Sequence, residues 1–149
     1  MAMRIVSFLA LLFSALALVP YGAHLFALPN KIGMTQEHYF IAQDAYRGWA
    51  WLGVILFPAM VLNIALAILL RGQRPASALA VTGCLLMVTT LAVFFAWTYP
   101  ANFATQNWTA VPPNWAELRR QWEYSHAANA ALNIVAFGCI AAAVLSARR

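Results

Sequence analysis

The sequence predicts an all-α integral membrane four-helix bundle, a single transmembrane domain over residues 1–149. Two observations predict it. The chain is 64% hydrophobic and 9% charged, far more apolar than a soluble core of this length can use. Its apolar residues fall into stretches at 5–28, 50–70, 76–97 and 127–147, each near the ~20 residues that cross a ~30 Å hydrocarbon layer as helix. Without water to satisfy the backbone, such stretches must be helical.

The first stretch follows Arg4 and contains Ala15-Leu16-Ala17, which imitates a leader-peptidase site. Its apolar run continues to Leu28, longer than the ~7 to 15 residues of a secretory signal, so a helix is expected. Four spans place both termini and the 71–75 turn at one end. The 29–49 and 98–125 loops then lie at the other. The terminal end carries Arg4, Arg71, Arg74, Arg148 and Arg149 with no acid. The loop end carries Lys31, Arg47, Arg119 and Arg120 with all four acids, Glu37, Asp44, Glu117 and Glu123. The positive-inside rule puts the termini in the cytoplasm.

The net charge of +5 does not indicate nucleic acid, because the basic residues cap apolar spans instead of forming a patch. The expected partner is the lipid bilayer. Cys84 and Cys139 are isolated within spans and read as packing residues.

Pro29 and Gly33 predict the end of the first helix and a turn. Residues 35–49 read as a short interfacial helix capped by Thr35, with Tyr39, Phe40, Tyr46 and Trp49 on its apolar side and an Asp44–Arg47 pair on its surface. In the second loop, Pro100 and Pro112-Pro113 bracket an irregular segment. Asn114 followed by Glu117 is a capping-box variant. A helix is therefore expected from Trp115 straight into the fourth span.

That continuity puts Arg119, Trp122, Glu123, His126, Asn129 and Asn133 along one side of a helix. His24, His38 and His126, all the histidines, belong to the loop end with the acids. The six tryptophans gather there too, where an interfacial belt explains most of them. A belt serving only one interface is lopsided, so some rings are expected to wall a pocket for a small apolar aromatic ligand.

Glu123-x-x-His126 has the spacing by which diiron bundles supply two ligands, but only one copy is present. His24 and His38 are the other candidate ligands for iron or copper, with Glu37 and Asp44 in the same loop. The bland alternative ties Glu123 to Arg119 or Arg120. A haem held between His24 and His126 would need facing histidines at mid-depth. A metal-free alternative uses one of these groups as general base at the mouth of an aromatic pocket, with Asn102, Asn107, Asn129 and arginines stabilising an enolate oxygen.

Thr98-Tyr-Pro-Ala-Asn102 with Asn107-Trp108, and Pro113-Asn-Trp115 with Leu118-Arg119, Trp122-Glu123 and His126, carry a resemblance. With four spans in this length, the chain resembles the anthrone oxygenase-like family of small membrane proteins, which has many bacterial members. The motifs cover residues 98 to about 137, and the expected location is a bacterial inner membrane. Fungal members oxidise anthrones to anthraquinones with dioxygen. The resemblance implies an oxidoreductase in which His126 is the catalytic base and Glu123 orients it. Trp108, Trp115 and Trp122 would be pocket walls, with Asn102, Asn107, Asn129 and Arg119 binding substrate; no cofactor is required in that reading. Many members have Arg where this chain has Asn129, so a charged role does not transfer there. The non-enzymatic alternative is an accessory subunit that binds lipid or a membrane partner through its tryptophan-rich end.

Overall fold

The computed structural model describes residues 1–147; Arg148 and Arg149, counted above among the terminal cations, lie outside them. Four long helices, α1 (Ala2–Lys31), α3 (Gly53–Leu69), α4 (Arg74–Val93) and α6 (Trp115–Ser146), form the bundle, and no strand occurs among the described residues. Each helix packs on two neighbours around a square, α1 on α3, α3 on α4, α4 on α6 and α6 on α1. Short helix α2 (Gln36–Gln43) belongs to the first loop, and α5 (Tyr99–Ala104) prolongs the third span.

The helices are built inside out relative to a soluble bundle. Phe8, Val19, Val61, Ile64, Leu85 and Val135 face outward, while Ala10, Ser14, Ala59, Asn63, Ala80, Asn129 and Asn133 are buried. Large apolar side chains gain nothing by leaving lipid for the interior, whereas small residues let backbones approach and polar ones find partners there. Two helices approach closely at Gly83, where a Cβ would lie 2.7 Å from Ile140 Cδ1 and 3.1 Å from the Ala136 carbonyl oxygen. Asn63 ties three helices, donating to Ser14 Oγ on α1 (2.9 Å) and Met87 Sδ on α4 (3.1 Å). Asn63 is thus a packing amide.

Three boundaries differ from those expected of the sequence. Helix α1 runs through Pro29 to Lys31, because proline forfeits only the bond to the carbonyl four residues back and Ile32 N–H still closes on Leu28 O at 2.9 Å. The extra turn carries Lys31. The third span likewise continues through Pro100: a π-turn over Phe94–Thr98 widens the helix, α5 follows directly, and the irregular segment starts at Thr105. In the first loop, Thr35 does cap α2, but regular helix ends at Gln43. Tight turns at Asp44–Tyr46 and Trp49–Leu52 replace the rest, separated by Gly48 at φ 83°, a conformation that favours glycine.

Helix α6 begins at Trp115 as expected and spans 32 residues. Its start is secured by backbone bonds from Glu117 and Leu118 N–H to the Asn114 carbonyl; the Asn114 side chain caps nothing, so the capping box does not form. At ~1.5 Å per residue α6 outruns a ~30 Å hydrocarbon layer. Its first three turns, which hold Glu123 and His126, therefore lie at the loop end.

Candidate functional site

A cavity of about 690 Å³ occupies the loop end of the bundle. Helical periodicity builds its floor. Ala17, Pro20, Tyr21 and His24 share one face of α1, and Trp122 and His126, four apart on α6, face them. The His24 and His126 rings stack with centroids 4.0 Å apart and planes 27° from parallel. Trp122 stands edge-on to both, at 4.9 and 4.2 Å. Tyr46 and Trp49 complete the aromatic surround of His24, at 4.3 and 5.6 Å. Nδ1 of each imidazole is buried with no hydrogen-bond partner. These nitrogens are committed to no protein group.

The second loop supplies the roof. Gln106, Asn107 and Trp108 all take positive φ (48°, 56° and 66°), a costly run for residues other than glycine. The segment is held by Thr105: its carbonyl accepts from Thr109 and Ala110 N–H (3.0 and 2.9 Å), and its hydroxyl oxygen accepts from Trp108 N–H (3.1 Å). The strained turn swings Trp108 onto the cavity wall, leaving it 7% exposed. Asn102 Oδ1 accepts both Trp122 Nε1 (2.8 Å) and Trp108 Nε1 (3.3 Å). Indoles only donate, so the oxygen is assigned and the amide NH₂ remains a donor at the cavity wall.

Next to the cavity lies a closed polar ring that sequence reasoning misses. Glu123 Oε1 accepts from Lys31 Nζ (2.7 Å) and Tyr39 Oη (2.9 Å). Lys31 also donates to Gln43 Oε1 (3.0 Å), and Gln43 Nε2 donates to Tyr39 Oη (2.9 Å). Lys31 Nζ sits 4.3 Å from the Tyr46 ring centroid and 4.7 Å from that of Trp122. Burial, and then the Glu123 charge, push the Tyr39 phenol far above its ordinary range and raise Tyr46 as well. Both stay protonated at neutral pH. Lys31 is the single lysine of the chain, and that lone departure from arginine is the one signal of the ring in the sequence.

Of the residues singled out from sequence, His24, His126, Trp108, Trp122, Asn102 and Asn107 line the cavity together. Others do not. Glu123 is fully buried and bonds Lys31 and Tyr39, so it neither orients His126 nor pairs with Arg119 or Arg120. Arg119 donates to the Met34 carbonyl (2.6 Å) and lies over Trp115 and Tyr39, which uses both Arg119 and Trp115 in docking the first loop. Asn129 faces the interior below the cavity wall, where its carbonyl accepts from Asn133 Nδ2 (3.0 Å). His38 is exposed; Asp44, by contrast, pairs with Arg47 at 2.5 Å as expected, and both border the cavity.

The four candidate metal ligands therefore do not converge: among the described residues, no group of three or more His, Cys, Asp or Glu could hold a metal ion. Stacking of His24 on His126 also leaves no space for a macrocycle between them. The tryptophans divide as physics suggests, with Trp51 and Trp97 exposed (79% and 53%) as belt residues and Trp49, Trp108 and Trp122 turned to the cavity. Comparison of the chain with protein-family models, curated proteins and solved structures finds no match.

Proposed function

We propose that this membrane protein is an oxygenase-type oxidoreductase acting on a flat, apolar aromatic substrate, of the anthrone, phenol or quinol kind, with His126 as general base. One observation carries the reading: the His126 imidazole, tied by its buried Nδ1 to no protein group, stands at the floor of a cavity walled by Trp108, Trp122, Tyr46 and Trp49. Aromatic walls bind a flat ring through its faces and edges, and a base held there meets the ring's acidic hydrogen.

In this reading His126 takes a proton from an acidic methylene or hydroxyl of the substrate. The Asn102 amide, locked by two indoles, donates to the developing oxyanion, with Asn107 beside it. For an anthrone, the carbanion gives its electrons to dioxygen, a carbon–oxygen bond forms, and loss of water leaves the new carbonyl. Lys31 and Glu123 hold the neighbouring wall instead of entering the reaction. The motifs around Asn102, Trp108, Trp115, Trp122 and His126 support assignment to the anthrone oxygenase-like family. Arg4, Arg71 and Arg74 at the acid-free end support cytoplasmic termini in a bacterial inner membrane, with the cavity at the outer face.

The purified protein in detergent should consume oxygen when given anthrone, and His126→Ala should abolish that consumption. Equal rates in wild type and variant would remove the assignment.

A further inference from the structure

The cavity changes character along its length. Besides the imidazole floor, its walls include Leu56 and Leu91, with Phe57 on α3 and Phe95 in the π-turn. Both phenylalanines line the cavity and are 63% exposed, each on an apolar membrane-spanning helix. Helix α3 packs along α4, and the π-turn that continues α4 packs mainly on α6. Phe57 and Phe95 both belong to helices long and apolar enough to cross a membrane, so the seam between the two rings lies within membrane-spanning segments. The other border of the cavity is polar, formed by the Asp44–Arg47 pair and residues 106–109.

From these walls, and resting on the site proposed above, we infer that the substrate carries a hydrocarbon tail and reaches His126 laterally from the bilayer. Its aromatic head lies against His126 and Trp122, and its tail leaves between Phe57 and Phe95. A hydrocarbon chain in that seam exchanges lipid for phenylalanine and loses nothing. The same chain at the polar border would strip water from Asp44 and Arg47, which is costly for charged groups. The π-turn carries the third span past Pro100 and sets Phe95 on the cavity wall, where Phe57 of α3 also lies. The substrate class is that of lipid-soluble phenols and quinols, in which a ring and an alkyl or isoprenoid chain are joined.

Photo-cross-linking of the full chain in liposomes tests this with two probes: a naphthoquinone carrying a diazirine near the end of its decyl tail, and the same tailed ring with the diazirine on the ring. The ring probe should label the stretch holding Trp122 and His126, and the tail probe the stretches holding Phe57 and Phe95. Excess unlabelled decyl-naphthoquinone should lower both signals about tenfold, as mass action requires of a saturable site. Competed ring labelling at Trp122 and His126, with tail labelling at Asp44–Arg47 or residues 106–109, would overturn the lateral path and leave the site standing. Absence of any competed ring label at Trp122 and His126 would remove the site and the path together.

Discussion

Lys31 Nζ lies 2.7 Å from Glu123 Oε1, and the two side chains, 5% and 0% exposed, join the end of α1 to the first turns of α6. The pair locks the first loop onto the bundle, since Tyr39 and Gln43 of α2 complete the same hydrogen-bonded ring. Its position beside Tyr46 and Trp122 makes it a support of the cavity wall.

Lys31→Met removes the cation and strands a buried carboxylate. The expected loss is about 3 to 5 kcal/mol, read as a lower thermal midpoint in detergent. Adding Glu123→Gln should recover a large part, because the amide needs no counter-charge. A single variant that melts like the wild type would show that the pair is not dry.

Tyr39 and Tyr46 give a pH dependence with a definite sign. Their folded pKa values lie above the ordinary 10.0, through burial first and then the Glu123 charge. The folded state therefore holds these protons more tightly than the unfolded state. The stabilisation is complete below pH 10 and is lost as the pH rises beyond it. Ultraviolet titration should show the two phenols ionising late, with loss of helicity accompanying Tyr39. Normal titration of all five tyrosines at constant helicity would contradict the buried ring.

Asn102→Leu deletes the acceptor shared by the Trp108 and Trp122 indoles. Two part-buried donors then lack a partner, at a cost of about 1 to 3 kcal/mol each where no water reaches them. Tryptophan emission should shift, and the oxidation proposed above should fall with it. An unchanged spectrum and rate would place the amide outside the working site.

Gly83→Val forces side-chain atoms into Ile140 and the Ala136 backbone. Overpacking of this kind costs about 1 to 3 kcal/mol, here by separating α4 from α6. Gly138, with nothing within 4 Å of an added Cβ, is the control: Gly138→Ala should leave the melting profile unchanged or slightly improved.

Part of the cavity is legible in the sequence. His24, Trp108, Trp122, His126, Asn102 and Asn107 stand out because titratable, amide and aromatic groups are rare in so apolar a chain, and helical spacing puts Trp122 on the face of His126. Trp115, Arg119 and Asn129 share that spacing and still miss the cavity. A face of α6 is wide enough to serve the loop, the interior and the cavity at once. The sequence puts Tyr46 and Trp49 at the loop end but does not join them to the π-turn wall in one site. Their placement depends on two turns and a widened helix for which no local rule exists.

Chain length, hydropathy and the periodicity of α6 are local properties, so the sequence by itself determined four spans, the two-loop end and a continuous helix from Trp115. Partner choice is different. Glu123 has Arg119 and Arg120 within helical reach, yet its charge is met by Lys31, 92 positions away in the chain, because only inside the bundle is the carboxylate stripped of water and in need of the nearest buried cation. The same holds for His24 on His126 and for Asn102 beneath two indoles. Those contacts exist only once helices distant in sequence are pressed together, and they are what turns a set of polar residues at one end into a site.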